Sequence, residues 1–140
     1  MPADDAARVA DVRGWLSKAA IDLRAGRHAS AADPPLLDDA VFHAQQAAEK
    51  SLKAFLAWHD RPFRKTHDLA ELGRACVELD VSLEPLLREA ASLTEYAWKF
   101  RYPGAPDEPS RNETETALDT AGEVWSAIIE RLPQECRPGT

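Results

Sequence analysis

The sequence predicts an all-α fold, an up-and-down antiparallel helical bundle of four long helices plus one short helix, and three observations predict it. Apolar residues recur at intervals of three and four in five successive segments. No segment alternates apolar and polar residues as a half-buried strand would, and proline, glycine or a capping residue punctuates the intervals between segments. A chain of 140 residues has room for one domain with a hydrophobic core and not for two. The domain is placed over residues 1–140, with its core at about 5–132 and a frayed tail at 133–140.

The first helix is expected from about Asp5 to Arg27, where Val9, Val12, Leu16, Ala19, Ala20 and Leu23 share one side and Gly26 supplies a stop signal. Residues 28–35, HASAADPP, read as a connector in which Asp33 caps the next helix and Pro34 starts it. The second helix then runs to about Asp60, with Leu37, Val41, Ala44, Ala48, Leu52, Phe55 and His59 on one face. Pro62 interrupts it, and Thr66 is placed to cap a short third helix whose stripe is Leu69, Leu72, Cys76 and Leu79.

Ser82 and Glu84-Pro85 open the fourth helix, with Leu86, Ala90, Leu93, Ala97 and Phe100 co-facial and Leu87 and Trp98 widening the apolar side until Pro103 ends it. The segment Pro103 to Pro109, PGAPDEP, holds three prolines and a glycine and is a loop. Ser110 and Glu113 form a capping box for the fifth helix, whose core face is Ala117, Ala121, Val124, Trp125, Ile128 and Leu132.

Composition narrows the function classes. Hydrophobic residues make up 44% and charged residues 29%, the balance of a globular protein. The net charge of -7 disfavours a broad, nonspecific nucleic-acid surface. Cys76 and Cys136 are too few for a zinc or disulfide framework, so free thiols are expected. The N-terminal MPADDAARVA has no basic segment ahead of an apolar run, and no stretch approaches the roughly 18 apolar residues of a membrane helix. The expectation is a soluble, cytoplasmic protein that needs no membrane.

The face of the second helix opposite its apolar side carries Gln46, Glu49, Lys50 and Lys53. Such a stripe is either a solvated face supported by alternating charges or a binding face, and Phe42 beside it is unusual for a solvated one. Arg101 falls on the core-facing side of the fourth helix just before Pro103, so its guanidinium either forms a salt bridge that ties the loop down or meets an anionic ligand. His67, expected in the first turn of the short helix, is either a hydrogen-bonded structural residue or a proton relay. His43 and His59 have no partner at metal-ligand spacing, no glycine-rich phosphate loop is present, and no metal or cofactor is expected. The four tryptophans, Trp15, Trp58, Trp98 and Trp125, fit core or dimer packing.

Three segments in order, FHAQQAAEKSLKAFL (Phe42 to Leu56), KTHDL (Lys65 to Leu69) and WKFRYPG (Trp98 to Gly104), resemble the HEPN domain, the higher-eukaryote and prokaryote nucleotide-binding domain. The resemblance implies a helical bundle that is usually a homodimer. It also implies one of several activities: partnership with a minimal nucleotidyltransferase in a toxin–antitoxin-like two-component module, nucleotide binding, or metal-independent RNA cleavage. The cleaving branch is marked by an arginine followed after four to six residues by a histidine. Here neither Arg101 nor Arg111 is followed by one, which leaves the acid–base role without an occupant.

Two readings follow. In the first, the chain is a noncatalytic homodimeric module that binds a nucleotide or a nucleotidyltransferase partner, with Gln46, Glu49, Lys50, Lys53, Arg101 and Tyr102 as the recognising residues. In the second, it is a metal-independent endoribonuclease with an atypical site in which Arg101 stabilises charge and His67 transfers the proton. Net charge and the missing histidine favour the first.

Overall fold

The computed structural model describes residues 3–104 and 107–139. It is all α among those residues, as the periodicity predicts. The helices are α1 (Ala3–Ala31), α2 (Leu37–Trp58), α3 (Leu69–Leu79), α4 (Glu84–Ala90) and α5 (Arg111–Glu130). Three 3-10 segments, Val81–Leu83, Ala91–Ala97 and Gln134–Cys136, complete them.

α2 is the centre of the bundle. Its interface with α1 is the most extensive in the fold, and it also packs on α5, α3 and the 3-10 segment Ala91–Ala97. Val41, Ala44, Ala48, Leu52 and Leu56 are wholly buried there, together with Val12 and Leu16 from α1 and Leu118, Val124 and Ile128 from α5. α1 and α2 run antiparallel: Arg8 near the start of α1 donates to the Trp58 carbonyl at the end of α2, while Asp22, farther along α1, meets Lys50. Across the bundle, Trp125 Nε1 donates to the Leu16 carbonyl at 3.1 Å and pins α5 to α1.

Several boundaries depart from the sequence expectation. Gly26 does not stop α1, which runs on to Ala31. A Cβ at Gly26 would lie 2.6 Å from Leu118 Cδ2 and 3.3 Å from the Ala40 carbonyl, so the glycine serves close helix packing. Asp33 does not cap α2, nor does Pro34 begin it: the N-cap is Leu36, with no side-chain cap bond. Ala29 O instead accepts from Leu36 N at 2.9 Å and sets the turn. The cap of α3 is Asp68, whose carboxylate accepts from Ala70 N and Glu71 N, and Thr66 Oγ1 accepts from Asp68 N one step earlier. At the C-terminal end of α2, His59 lies exposed past the last turn rather than on the core face, and Leu79 of the α3 stripe is likewise exposed.

The fourth element is split. α4 lasts seven residues and passes into the 3-10 segment, where the period tightens to three residues per turn. The buried residues are accordingly Leu87, Ala90, Leu93 and Tyr96, spaced by three, rather than the 3.6-period set Leu86, Ala90, Leu93, Ala97 and Phe100. Tyr96 donates its hydroxyl to Glu113 and thereby joins this segment to α5. Trp98, expected to widen the apolar face, is 49% exposed.

The Pro103 to Pro109 loop lacks regular structure where it is described, Ala105 and Pro106 lying outside the described residues. Ser110 Oγ accepts from Glu113 N at 3.0 Å, half of the expected capping box. Past Pro133, where a frayed tail is expected, Cys136 is buried in a 3-10 turn, and Arg13 of α1 donates to the Glu135 carbonyl.

Candidate functional site

The polar stripe of α2 is neither fully solvated nor empty of structure. Its inner half lies under the loop that leads into α3. Glu49 is 4% exposed and Lys53 8% exposed, and they pair one turn apart, Lys53 Nζ to Glu49 Oε2 at 2.9 Å. The other carboxylate oxygen, Oε1, accepts from His67 Nδ1 at 2.7 Å and from Gln45 Nε2 at 3.1 Å. The same Gln45 nitrogen donates to the His67 carbonyl at 3.1 Å, and Gln45 Oε1 accepts from Gln46 Nε2 at 2.7 Å. These bonds fix the orientation of the Gln45 amide and clamp the loop to the helix. Lys53 also lies 5.6 Å from the Trp15 ring centroid and 5.8 Å from that of Phe63, two rings that meet edge to face.

Burial by itself would push the Glu49 carboxyl up. Hydrogen bonds from His67, Lys53 and Gln45, with the Lys53 charge, outweigh it and hold the carboxyl below its ordinary range. Glu49 is therefore a buried, ionised anchor. An ionised carboxylate cannot donate, so the His67 Nδ1 carries the hydrogen of their bond. The His67 side chain is 62% exposed even though its partner is not. His67 also precedes the cap of α3 instead of occupying its first turn, and its side chain bonds Glu49.

The outer half of the stripe forms a second network. Asp22 of α1 accepts from Lys50 Nζ at 2.5 Å and from His43 Nδ1 at 2.9 Å, and His43 Nε2 lies 3.5 Å from Asp39. Asp39 in turn faces Arg101 at 3.4 Å, a long ion pair between two half-exposed side chains. The Arg101 guanidinium lies 4.0 Å from the Phe42 ring centroid. That stacking accounts for the aromatic beside the stripe: Phe42 carries a cation, not the core. Tyr102 next to Arg101 is 68% exposed.

The predicted residues thus fall at two places. Gln46, Glu49, Lys53 and His67 gather where α2, the Trp15 turn of α1 and the pre-α3 loop converge. Lys50, Arg101 and Tyr102 belong to the Asp22–His43–Asp39 end. Arg101 and His67 do not meet within the protomer, because their carboxylate partners, Asp39 and Glu49, are ten residues apart on one helix, about 15 Å of axial rise. Sequence reasoning missed Gln45, Asp22 and Asp39, and it gave His43 no partner, whereas His43 meets both Asp22 and Asp39. Only the i, i+4 relation of Asp39 to His43 was visible in the chain; Asp22 comes from another helix. Among the described residues no three His, Cys, Asp or Glu side chains are grouped to hold a metal ion, and no helix is long and apolar enough to cross a membrane.

A bundle whose central helix carries ion pairs along one stripe, joined to an exposed imidazole at one end and a guanidinium over an aromatic ring at the other, belongs to the class of all-α helical-bundle domains. The chain matches the HEPN domain family over residues 12–132 and belongs to that family, a class of nucleotide-binding and ribonuclease-like domains. No curated protein and no solved structure matches it significantly.

Proposed function

We propose that this HEPN domain is a binding module for a nucleotide, working as one half of a two-component, toxin–antitoxin-like pair with a minimal nucleotidyltransferase and acting as a homodimer. The observation that carries this reading is the separation of Arg101 from His67. Each is committed to its own carboxylate at a different place on α2, so the protomer does not bring Arg101 and His67 together for phosphodiester cleavage; the histidine that shares Asp39 with Arg101 is His43. Gln46, Lys50, Arg101 and Tyr102 supply side chains that reach solvent, while the buried Glu49 and Lys53 hold the Gln45–Gln46 and His67 end of the stripe in place. Arg101 is suited to an anionic group, because its bond to Asp39 is long and its guanidinium is already held flat by Phe42.

Calorimetric titration of the protein with ATP, with GTP and with a minimal nucleotidyltransferase tests the reading. Saturable binding weakened by Arg101→Ala is the expected result, and no heat with any of the three would refute it. The atypical ribonuclease remains as a second reading because one observation favours it: His67 is oriented by a buried carboxylate and open at Nε2. RNA cleavage that disappears in both Arg101→Ala and His67→Ala would reverse the order of the two.

A further inference from the structure

We propose that His67 Nε2 receives a sugar hydroxyl of the bound nucleotide, with Glu49 as the positioning residue that makes this nitrogen an acceptor; this rests on the nucleotide-binding reading above. Free imidazole can present either nitrogen as the acceptor. Here the choice is made by Glu49, whose ionised Oε1 takes the Nδ1–H at 2.7 Å and leaves the lone pair on Nε2. The positioning is unusually complete. Lys53 holds the second carboxylate oxygen, Gln45 holds both the first oxygen and the His67 backbone, and Gln46 holds Gln45. His67 Nε2 has no hydrogen-bond partner among the described residues, and the side chain that carries it is 62% exposed.

A loop anchor alone does not need the imidazole outside. The Gln45 bond to the His67 carbonyl and the Asp68 cap already tie that segment down, whereas 62% of the His67 side chain stays in water. The surroundings fit a nucleoside. The Trp15–Phe63 pair flanks the Lys53–Glu49 ion pair and offers aromatic surface for a base. A shallow depression of about 320 Å³ lined by Ala10, Asp11, Gly14, Trp15 and Lys18 continues from that tryptophan. An acceptor nitrogen in this patch selects a ligand that carries a hydroxyl donor.

The test compares ATP and GTP with their 2′,3′-dideoxy forms by calorimetry at pH 8.5, on the full chain. The ribose forms are expected to bind about threefold to tenfold tighter, the worth of one added hydrogen bond. In His67→Ala, a change at an exposed side chain, that ratio falls to near one. Nitrogen-15 spectra of the ligand-free protein supply the readout that a merely structural role would not move: His67 is expected to carry its hydrogen on Nδ1 and to lose that preference in Glu49→Gln. Because Glu49→Gln strands a buried lysine, the double variant Glu49→Gln/Lys53→Met is measured beside it. Nucleotide binding with a ribose preference untouched by His67→Ala overturns this inference and leaves the binding reading standing. A hydrogen on Nε2 in the unaltered protein overturns it as well. No binding of any nucleotide overturns both.

Discussion

Changing Gly14 and Gly26 to alanine makes the same chemical substitution twice on α1, and the structure assigns the two opposite signs. In a helix interior alanine is favoured over glycine by about 0.8–1.0 kcal/mol. A Cβ at Gly14 meets nothing within 4 Å, so that gain stands unopposed. The same atom at Gly26 would lie 2.6 Å from Leu118 Cδ2 and 3.3 Å from the Ala40 carbonyl oxygen. Carbon atoms rest at about 3.5–4.0 Å, so the leucine methyl would have to withdraw by about 1 Å. Leu118 is wholly buried, and its neighbours leave it little space to do so. Overpacking of this kind costs about 1–3 kcal/mol, which after the helix gain leaves Gly26→Ala less stable by up to about 2 kcal/mol. For a chain of this size 1 kcal/mol corresponds to about 3 °C in Tm. Melts followed by circular dichroism should therefore show Gly14→Ala rising by about 3 °C and Gly26→Ala falling by up to about 6 °C. Shifts of the same sign and size would refute the reasoning, because they would mean that α1 is not pressed against α5 and α2 at Gly26.

Three other outcomes follow from the buried groups. Lys53→Met and Glu49→Gln should each cost about 3 kcal/mol in urea unfolding, because each strands a buried partner, while the double variant should recover most of the loss; simple additivity would mean that the pair is not coupled. The Glu49 carboxyl is held below its ordinary value of 4.5, so its contribution is present above that value and is lost as pH falls through the lower folded one. Acid unfolding of Glu49→Gln/Lys53→Met should accordingly be shallower below about pH 4.5 than that of the unaltered protein. Burial pushes the Cys76 thiol up to about 12, so iodoacetamide at pH 8 should label it only at the rate of unfolding, measured by mass spectrometry.

Helix existence was legible in the chain because burial on a helix follows a 3.6-residue period that the apolar residues spell out; the core face of α5 follows it, while α2, at the centre of the bundle, is buried on its opposite side too and exposes His59 of the expected face. Capping was legible where the signal was local and unopposed, as at Ser110, and illegible where two candidates competed. Thr66 and Asp68 both fit a cap, and the carboxylate, a stronger acceptor placed at the helix start, takes the role. The 3-10 segment escaped detection because its burial period of three, Leu87, Ala90, Leu93 and Tyr96, overlaps the expected 3.6-period set at Ala90 and Leu93.

By itself the sequence determined the all-α class, the order of the helices, the family through the segments around Phe42 to Leu56, Lys65 to Leu69 and Trp98 to Gly104, and the identity of the stripe Gln46, Glu49, Lys50 and Lys53. Those properties are carried by neighbours in the chain. Tertiary structure alone decided what the stripe does, because each partner of a charged residue on α2 that comes from another segment is remote in sequence: Asp22 from α1 for Lys50, His67 from the following loop for Glu49, Arg101 from the far end of the fourth element for Asp39. The stripe of Gln46, Glu49, Lys50 and Lys53 could be read as wet surface or as binding face. Close packing of α1 and the pre-α3 loop onto α2 removes that choice for Glu49 and Lys53, since a charge withdrawn from water persists only where another group answers it.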